Sequence, residues 1–413
     1  LIMLLLYSIG IRLYHLAAAL ASPFNAKAKA FTEGRRNLFQ KVQQELQNES
    51  AKRIWFHCSS YGEYEQGKPV LQQIKKLFPQ YKIVLSFFSP SGYKQGAKEK
   101  LADYVFYLPC DSISNARKWL DCINPNMAIF VKYDYWFRYM SELSKRSIPF
   151  IYISAVFRAN QFFFKWYGGT FIKEFKKVTR FFVQNNTSLH ILNQKGITRV
   201  EVSGDTRFDR VIQLPGLEFM DEKIESFIAA KKIIVAGSTW PEDHHLLADY
   251  CNSTEVKLIL APHEIHESSY KDFIAACKKN VACYSKATEN ELLKADVLII
   301  DKIGMLSKLY RFATITYIGG GFGKGIHNTL EAAVYGKPVI FGPNFQKFEE
   351  AKQLLESGGA FTISNSRELK TIFDDLLNNN KKLEQVGEIC QNVVKSNAGA
   401  TMIITNWLQN HLH

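Results

Sequence analysis

The sequence predicts an α/β protein: two doubly wound, Rossmann-like domains facing one another across a cleft, with an N-terminal membrane-anchor helix in front. Three observations carry this. Short β-branched and aromatic runs recur along the 413 residues, with helical stretches between them. The runs are continuous rather than alternating, as expected of parallel strands buried on both faces. They fall in two series divided by a stretch holding Leu214-Pro215-Gly216, and the chain is long enough for two full cores.

The elements follow in order. Leu1 to Ala21 (LIMLLLYSIGIRLYHLAAALA) is mostly apolar, interrupted only by Arg12 and His15, and is about the length of a membrane-spanning helix. A charge near its middle favours a shallow, monotopic anchor with Arg12 snorkelling to the headgroups; a buried helix of the first domain is the plainer alternative. Lys27, Lys29, Arg35 and Arg36 follow at once, an excess that favours the cytoplasmic side for everything downstream. The first series of runs is Arg53–Cys58, Lys82–Phe87, Tyr104–Tyr107, Met127–Val131, Phe150–Ser154, Arg180–Gln184 and Val200–Ser203. The second is Lys232–Ala236, Lys257–Ala261, Val297–Ile300, Ile315–Ile318 and Val339–Phe341. The chain then divides into an anchor at 1–22, an N-terminal domain at 23–210, a linker at 211–225, a C-terminal domain at 226–390 and a closing helical segment at 391–413. That last segment is expected to pack back on the N-terminal domain.

Composition narrows the function. A hydrophobic content of 46% with 22% charged residues is that of a folded globular chain. The formal net charge of +13 calls for an anionic partner: nucleic acid, an acidic membrane surface or a phosphorylated substrate. The absence of zinc-finger spacing and of an aromatic RNP-type strand argues against nucleic acid. Seven cysteines are scattered without a C-x-x-C pair, which reads as reduced thiols and a cytoplasmic body.

Residues 318–350 are the most informative stretch. Ile315 to Ile318 runs into Gly319, Gly320, Gly321, Gly323 and Gly325, and His327, Asn328 and Glu331 follow where a helix should begin. A glycine-rich strand-to-helix turn brings bare backbone N–H groups up to an anion, with the helix dipole adding attraction. Glu331 lies one turn on from His327, so both can reach a ribose or sugar hydroxyl. The pattern points to a nucleotide-sugar site. It is not a P-loop, because Gly323-Lys324 is followed by Gly325. Nor is it the dinucleotide fingerprint, whose last glycine is out of place.

A second segment, His57-Cys58-Ser59-Ser60-Tyr61-Gly62-Glu63, directly follows the first strand. Loops at strand C-termini of an open parallel sheet face the ligand crevice. Ser60 and Gly62 let the chain turn, and Glu63 reaches the start of the next helix. It can serve as a general base whose pKa partial burial lifts toward neutrality. It can equally serve the helix dipole, a contribution of about 0.3–1 kcal/mol, and position alone does not choose. His263-Glu264-Ile265-His266 spaces its histidines i,i+3 rather than the i,i+4 of a zinc-protease helix. With His244 and His245 near in sequence, a metal is only a minor alternative, and no D-x-D or G-x-S-x-G occurs.

Taken together, these segments resemble the bacterial 3-deoxy-D-manno-octulosonic acid (Kdo) transferases, collinearly over nearly the whole chain. His57 to Glu63 is similar to the family's H-A-x-S-x-G-E segment, with Glu63 on its catalytic base. Leu108-Pro109-Cys110-Asp111 resembles a P-x-D segment, and Ser203 to Asp209 resembles G-N-x-K-F-D with Arg207 in the basic position. Gly237-Ser238-Thr239 followed by Glu242 resembles the S-T-x-x-x-E donor loop. The glycine segment resembles G-G-S…G-G-H-N-x-L-E, and Phe341-Gly342-Pro343 with Asn344 to Glu349 resembles F-G-P…N-F-x-E. The chain departs from the family at Lys132-Tyr133-Asp134-Tyr135-Trp136-Phe137, where E-T-E-L-W-P is common. It departs also at Pro262-His263-Glu264, where many members carry P-R-H, and at Gly325-Ile326, which replaces a Gly-Gly pair.

The resemblance implies the glycosyltransferase-B architecture. It implies an inverting, metal-independent transfer of Kdo from CMP-Kdo to a lipid A precursor, without a cofactor, by a protein anchored N-terminally at the cytoplasmic face of the bacterial inner membrane. It implies Glu63 as base, Ser60, Gly62, Lys132 and Asp134 on the acceptor side, and a donor site of Arg207, Ser238, Thr239, Glu242, His263, Gly319, Gly320, Gly321, His327, Asn328 and Glu331. A nucleotide-sugar 2-epimerase or a UDP-sugar transferase would share the glycine loop and is the rival enzyme. A basic protein that merely scaffolds at a membrane would leave Glu63 and His327–Glu331 unexplained.

Overall fold

The computed structural model describes residues 2–228 and 231–412. Leu1, Ala229, Ala230 and His413, which fall within the expected anchor, C-terminal domain and closing segment, lie outside the described residues. The chain forms two compact units. One runs through Arg210 and takes up the chain again from Ala398; the other is Val211–Asn397.

The first unit holds β1 (Arg53–Cys58), β2 (Lys82–Phe87), β3 (Tyr104–Tyr107), β4 (Met127–Val131), β5 (Phe150–Ala155), β6 (Arg180–Val183) and β7 (Val200–Val202). They stand in the order β3-β2-β1-β4-β5-β6-β7. The second unit holds β8 (Ile233–Thr239), β9 (Lys257–Pro262), β10 (Val281–Cys283), β11 (Val297–Ile299), β12 (Ile315–Ile318), β13 (Val339–Phe341) and β14 (Ala360–Thr362). Their order is β10-β11-β9-β8-β12-β13-β14. Every neighbouring pair is parallel. Parallel strands need helical crossovers, which cover both faces, and strand alternation then sorts apolar side chains to two sides. In the first unit Trp55, Phe130, Tyr152 and Phe181 belong to one core, and Ile54, Phe56, Ile129, Ile151 and Phe182 to the other. The aromatic side forms a ladder across four strands, with centroids 5.1 Å (Trp55–Phe130), 5.1 Å (Phe130–Tyr152) and 5.3 Å (Tyr152–Phe181) apart. Such ring pairs contribute about 0.5–1.5 kcal/mol each beyond burial.

Three features depart from the sequence reading. β10 and β14 are three-residue edge strands, too short to leave a periodic signal. The expected linker is largely ordered: helix Thr206–Val211 crosses its start, Leu214–Gly216 is a 3-10 turn, and helix Glu222–Ile228 begins within it. The closing segment is two helices, Asn380–Asn397 and Ala400–Gln409, broken at Gly399 with its left-handed φ of 118°. Asp209 caps the second, accepting from Thr401 N at 2.6 Å and Thr401 Oγ1 at 2.7 Å. Ile404 and Leu408 then join the Ile54 and Phe56 core.

The N-terminal helix, Ile2–Ala21, is docked on the first unit. Tyr7 donates to Asp111 Oδ2 at 2.6 Å, and Arg138 Nε donates to Ser8 Oγ at 2.9 Å. Among the described residues no single helix is long and apolar enough to cross a membrane. The bent pair Leu5–Ala21 and Ala26–Glu33, at 117°, passes that test together by length and composition.

Candidate functional site

Each sheet changes its direction of strand addition once, and such a switch leaves a crevice outside the C-terminal ends of two adjacent strands. In the first sheet these strands are β1 and β4, and in the second β8 and β12. The sequence-predicted residues collect at these two places. Ser60, Gly62 and Glu63 follow β1, and Lys132 and Asp134 follow β4. Ser238, Thr239 and Glu242 lie at the end of β8 or just beyond it, and Gly319–Gly321 follow β12.

At the β1–β4 switch, Ser60 caps helix Tyr61–Leu77. Ser60 N donates to Glu63 Oε2 at 2.8 Å, and Ser60 Oγ approaches the same oxygen at 3.1 Å. This is a capping box, so the helix-cap role of Glu63 is realised. Burial nonetheless raises its pKa, against the Ser60 hydrogen bonds and the Lys132 cation. Asp134 is buried, with Ser59 N donating to its Oδ2 at 2.9 Å and Ser59 Oγ donating to Oδ1. Burial, and then the charge of Glu63, push Asp134 well above the ordinary carboxylate range. Two carboxyl groups that oppose each other's ionisation titrate as a pair.

Behind them, Trp136 Nε1 donates to His57 Nε2 at 2.9 Å, and His57 Nδ1 lies 2.8 Å from Ser86 Oγ. With Nε2 accepting, the ring hydrogen sits on Nδ1 and is donated to Ser86. Burial lowers this imidazole to about 3, so its 3.7 Å approach to Asp134 is not an ion pair. Lys132 follows β4 in the left-handed region, φ 61°, a strain of about 1–2 kcal/mol for a residue with a Cβ. Arg207 aims Nε (2.8 Å) and Nη2 (2.6 Å) at Asp205 Oδ2, while Gln66 donates to Oδ1 at 2.7 Å. Burial works to raise Asp205, but Arg207 outweighs it and the carboxyl is held below its ordinary value. The expected donor arginine thus belongs to the first unit and already faces one carboxylate.

At the β8–β12 switch the glycines are needed for a reason the sequence reading did not give. Gly319 N donates to Gly237 O at 2.9 Å and Gly320 N to Asp243 Oδ2 at 2.9 Å. Two of the three N–H groups assigned to a phosphate are therefore taken by the protein. Close approach requires these glycines instead. A Cβ on Gly321 would lie 2.6 Å from the Gly342 backbone, and one on Gly319 2.5 Å from Ser238 O. Gly320 also has φ 89°.

His327 and Asn328 do not open a helix either. The helix after them, Leu330–Ala333, has four residues, too few to build a useful dipole. Asn328 Oδ1 accepts from Leu330 N at 3.1 Å, and the charge of Glu331 bears on Tyr310 and Tyr335. His327 joins an aromatic cluster. Trp240 Nε1 donates to His327 Nε2 at 3.0 Å with the rings 11° from parallel. His263 stacks on both, at 4.7 Å from Trp240 and 4.4 Å from His327. Burial, then His263, lower His327 to about 4, so it is neutral and carries its hydrogen on Nδ1. Thr239 Oγ1 pairs with His244 Nε2 at 3.2 Å, and Ser238 has φ 54°. Glu242 Oε1 would lie 3.9 Å from a Cβ on Gly323, at the glycine turn. Among the described residues no group of three or more His, Cys, Asp or Glu side chains could hold a metal ion.

The sequence reading missed Trp240 and Asp243. Asp243 is buried and accepts from Trp240 N (2.8 Å), Tyr317 OH (2.6 Å) and Gly320 N (2.9 Å), so it joins the helix start, β12 and the glycine turn. Pro241 followed by two acids was the available signal, since that pattern marks a helix N-terminus. The His57–Trp136 bond left no signal in spacing.

Residues 33–210 match the family described as "3-Deoxy-D-manno-octulosonic-acid transferase (kdotransferase)". The chain is 29% identical over 346 residues to the 3-deoxy-D-manno-octulosonic acid transferase of Rickettsia felis, covering 80% of this chain and 73% of that protein. It is 26% identical over 341 residues to that of Aquifex aeolicus, covering 80% and 88%. In fold it is similar to the UDP-GlcNAc 2-epimerase of Neisseria meningitidis, with a TM-score of 0.61 over 87% of this chain and 100% of the other. At 16% identity that likeness is one of fold alone.

Proposed function

We propose that this chain, which belongs to the Kdo transferase family and is a glycosyltransferase acting on Kdo, takes the sugar from CMP-Kdo. It passes the sugar to a lipid A precursor by one inverting displacement at the cytoplasmic face of the bacterial inner membrane. The observation that supports this reading best is the pair of carboxyl groups held by the adjacent Ser59 and Ser60 N–H groups at the β1–β4 switch, where burial raises Glu63 above the ordinary carboxylate value. Glu63 accepts the proton of the acceptor's primary hydroxyl as that oxygen bonds to the anomeric carbon. The bond from the anomeric carbon to the CMP phosphate breaks, and its electron pair leaves with CMP.

The donor's nucleotide is assigned to the β8–β12 crevice. There His327 Nδ1–H and Ser238 are side-chain donors available to an anion, Thr239 being buried and already paired with His244, and neutral dipoles oriented in advance can meet charge as it develops. Arg207 is the cation assigned to the sugar carboxylate, Glu242, His263, Asn328 and Glu331 complete the donor side, and Lys132 and Asp134 lie on the acceptor side. The net charge of +13 suits an acidic membrane surface and a phosphorylated lipid.

The test is Glu63→Gln, followed by mass spectrometry of a lipid A precursor incubated with CMP-Kdo. Transfer should fall by about 10²–10⁴, while the thermal shift given by CMP is kept. Near-full activity removes Glu63 from the mechanism. A larger thermal shift with UDP than with CMP would instead favour the rival donor.

A further inference from the structure

We propose that the groove between the N-terminal helix Ile2–Ala21 and helix Ile113–Ile123 is a binding site for one anionic glycerophospholipid of the surrounding membrane. The groove measures about 810 Å³ and lies wholly within the first unit. Leu5, Ile9 and Leu16 give it an apolar side. Arg12, Arg117, Lys118 and Arg138 bring four cations into it from both walls, and no carboxylate is among its described lining residues. An apolar wall beside clustered cations complements a molecule that joins acyl chains to a phosphate.

Two further observations favour a lipid over a free anion. The N-terminal helix turns Leu5, Leu13 and Leu20 outward at 59%, 59% and 68% exposure, so apolar surface borders the groove as it does on helices that lie in a membrane interface. The groove is also built rather than incidental. Tyr7 to Asp111 at 2.6 Å and Arg138 to Ser8 at 2.9 Å fix one wall, and Ser112 Oγ caps the other by accepting from Asn115 N at 3.1 Å.

Size argues for a membrane phospholipid over the acceptor. About 300–1,000 Å³ is the range of sites for one drug-sized ligand. This suits a headgroup with part of its chains, not a multiply acylated disaccharide. The inference extends the proposed membrane location and is independent of the sugar chemistry.

Native mass spectrometry of the full chain in neutral detergent, titrated with phosphatidylglycerol or phosphatidylcholine, tests it. One phosphatidylglycerol per chain should be retained, at least about tenfold more tightly than phosphatidylcholine. The exposed pair Arg117→Gln with Lys118→Gln should weaken retention by roughly tenfold or more, and Ser114→Trp, which fills the groove, should abolish it. Equal retention of the two lipids, or retention unchanged in both variants, overturns the proposal. So does displacement of phosphatidylglycerol by a lipid A precursor, which would make the groove the acceptor's seat. Selective phosphatidylglycerol retention by a protein that transfers no Kdo upholds the groove and counts against the transferase reading alone.

Discussion

Lys132→Met should move the acid limb of the transfer rate to higher pH, while Asp134→Asn should leave it in place. Ser59 and Ser60 are neighbours, and their N–H groups reach Asp134 Oδ2 at 2.9 Å and Glu63 Oε2 at 2.8 Å. Allowing about 3 Å between adjacent amide nitrogens, the two carboxyl groups lie within roughly 9 Å of each other. Two unit charges at that spacing repel by about 2 kcal/mol at an effective permittivity of about 20, equivalent to about 1.5 pH units. The sign follows from which form is penalised. That repulsion falls on Asp134, which burial and the Glu63 charge push well above the ordinary carboxylate range. Asp134 is therefore uncharged where Glu63 ionises, and a neutral amide in its place leaves the limb where it is. The Lys132 cation favours ionised Glu63, so its removal raises the limb, by about 1 unit. Asn keeps an oxygen for Ser59 N, so thermal unfolding of that variant near neutral pH should change little. The assay is kcat/KM for CMP release against pH, whose limb reports groups of the free enzyme. If Lys132→Met leaves the limb in place, or Asp134→Asn alone moves it, Glu63 is not the titrating base.

Two further variants probe the second unit. Gly321→Ala puts a Cβ 2.6 Å from the Gly342 backbone; backbone cannot yield as a side chain can, so stability should fall by about 1–3 kcal/mol. The CMP-induced thermal shift should shrink with it, and calorimetry reads both. Trp240→Phe keeps most of the ring against His263 but removes the donor that fixes the His327 tautomer. The KM for CMP-Kdo should rise about fivefold to tenfold, as for one lost hydrogen bond of about 1–1.5 kcal/mol, with unfolding temperature little changed.

The sequence declared strands best where a continuous apolar or aromatic run stood between polar stretches, at the edge strand β3 as well as in the middle of each sheet. The runs at Arg53–Cys58, Lys82–Phe87, Met127–Val131 and Ile315–Ile318 coincide with β1, β2, β4 and β12, because a strand covered on both faces must be apolar throughout. The edge strands β10 and β14, three residues each, left no such trace. Placing Glu63 near a crevice needed only chain order. Its coupling to Asp134 needed topology: Ser59 and Asp134 are 75 residues apart, and they meet because β1 pairs with β4. Glycine was legible after β12, yet its cause was not. A glycine that admits a ligand and one that admits Gly342 read alike in one dimension. Lys132 and Ser238 show the same limit, since nothing local marks a non-glycine residue held at φ 61° or 54°.

The two switch points repeat one local device, and the comparison explains how a single carboxylate can be both cap and base. In each unit the acid at the third position of the helix after the first strand accepts from the cap residue's N–H: Glu63 from Ser60 at 2.8 Å and Asp243 from Trp240 at 2.8 Å. Burial raises both. Asp243 is fully buried, and Tyr317 and Gly320 occupy it further, so it has neither access nor capacity for a substrate proton. Glu63 is half-buried, one methylene longer, and both contacts from Ser60 fall on Oε2, which leaves Oε1 clear of the cap residue. The shared cap holds position, and the difference in burial decides chemistry. Asp243→Asn should therefore lower stability by about 1–3 kcal/mol, because the amide cannot satisfy three donors, and lower activity only as far as the second unit loosens. Glu63→Gln should do the reverse, nearly neutral in urea unfolding and severe in transfer. Equal stability losses in the two variants would show that Glu63 is a cap and nothing more.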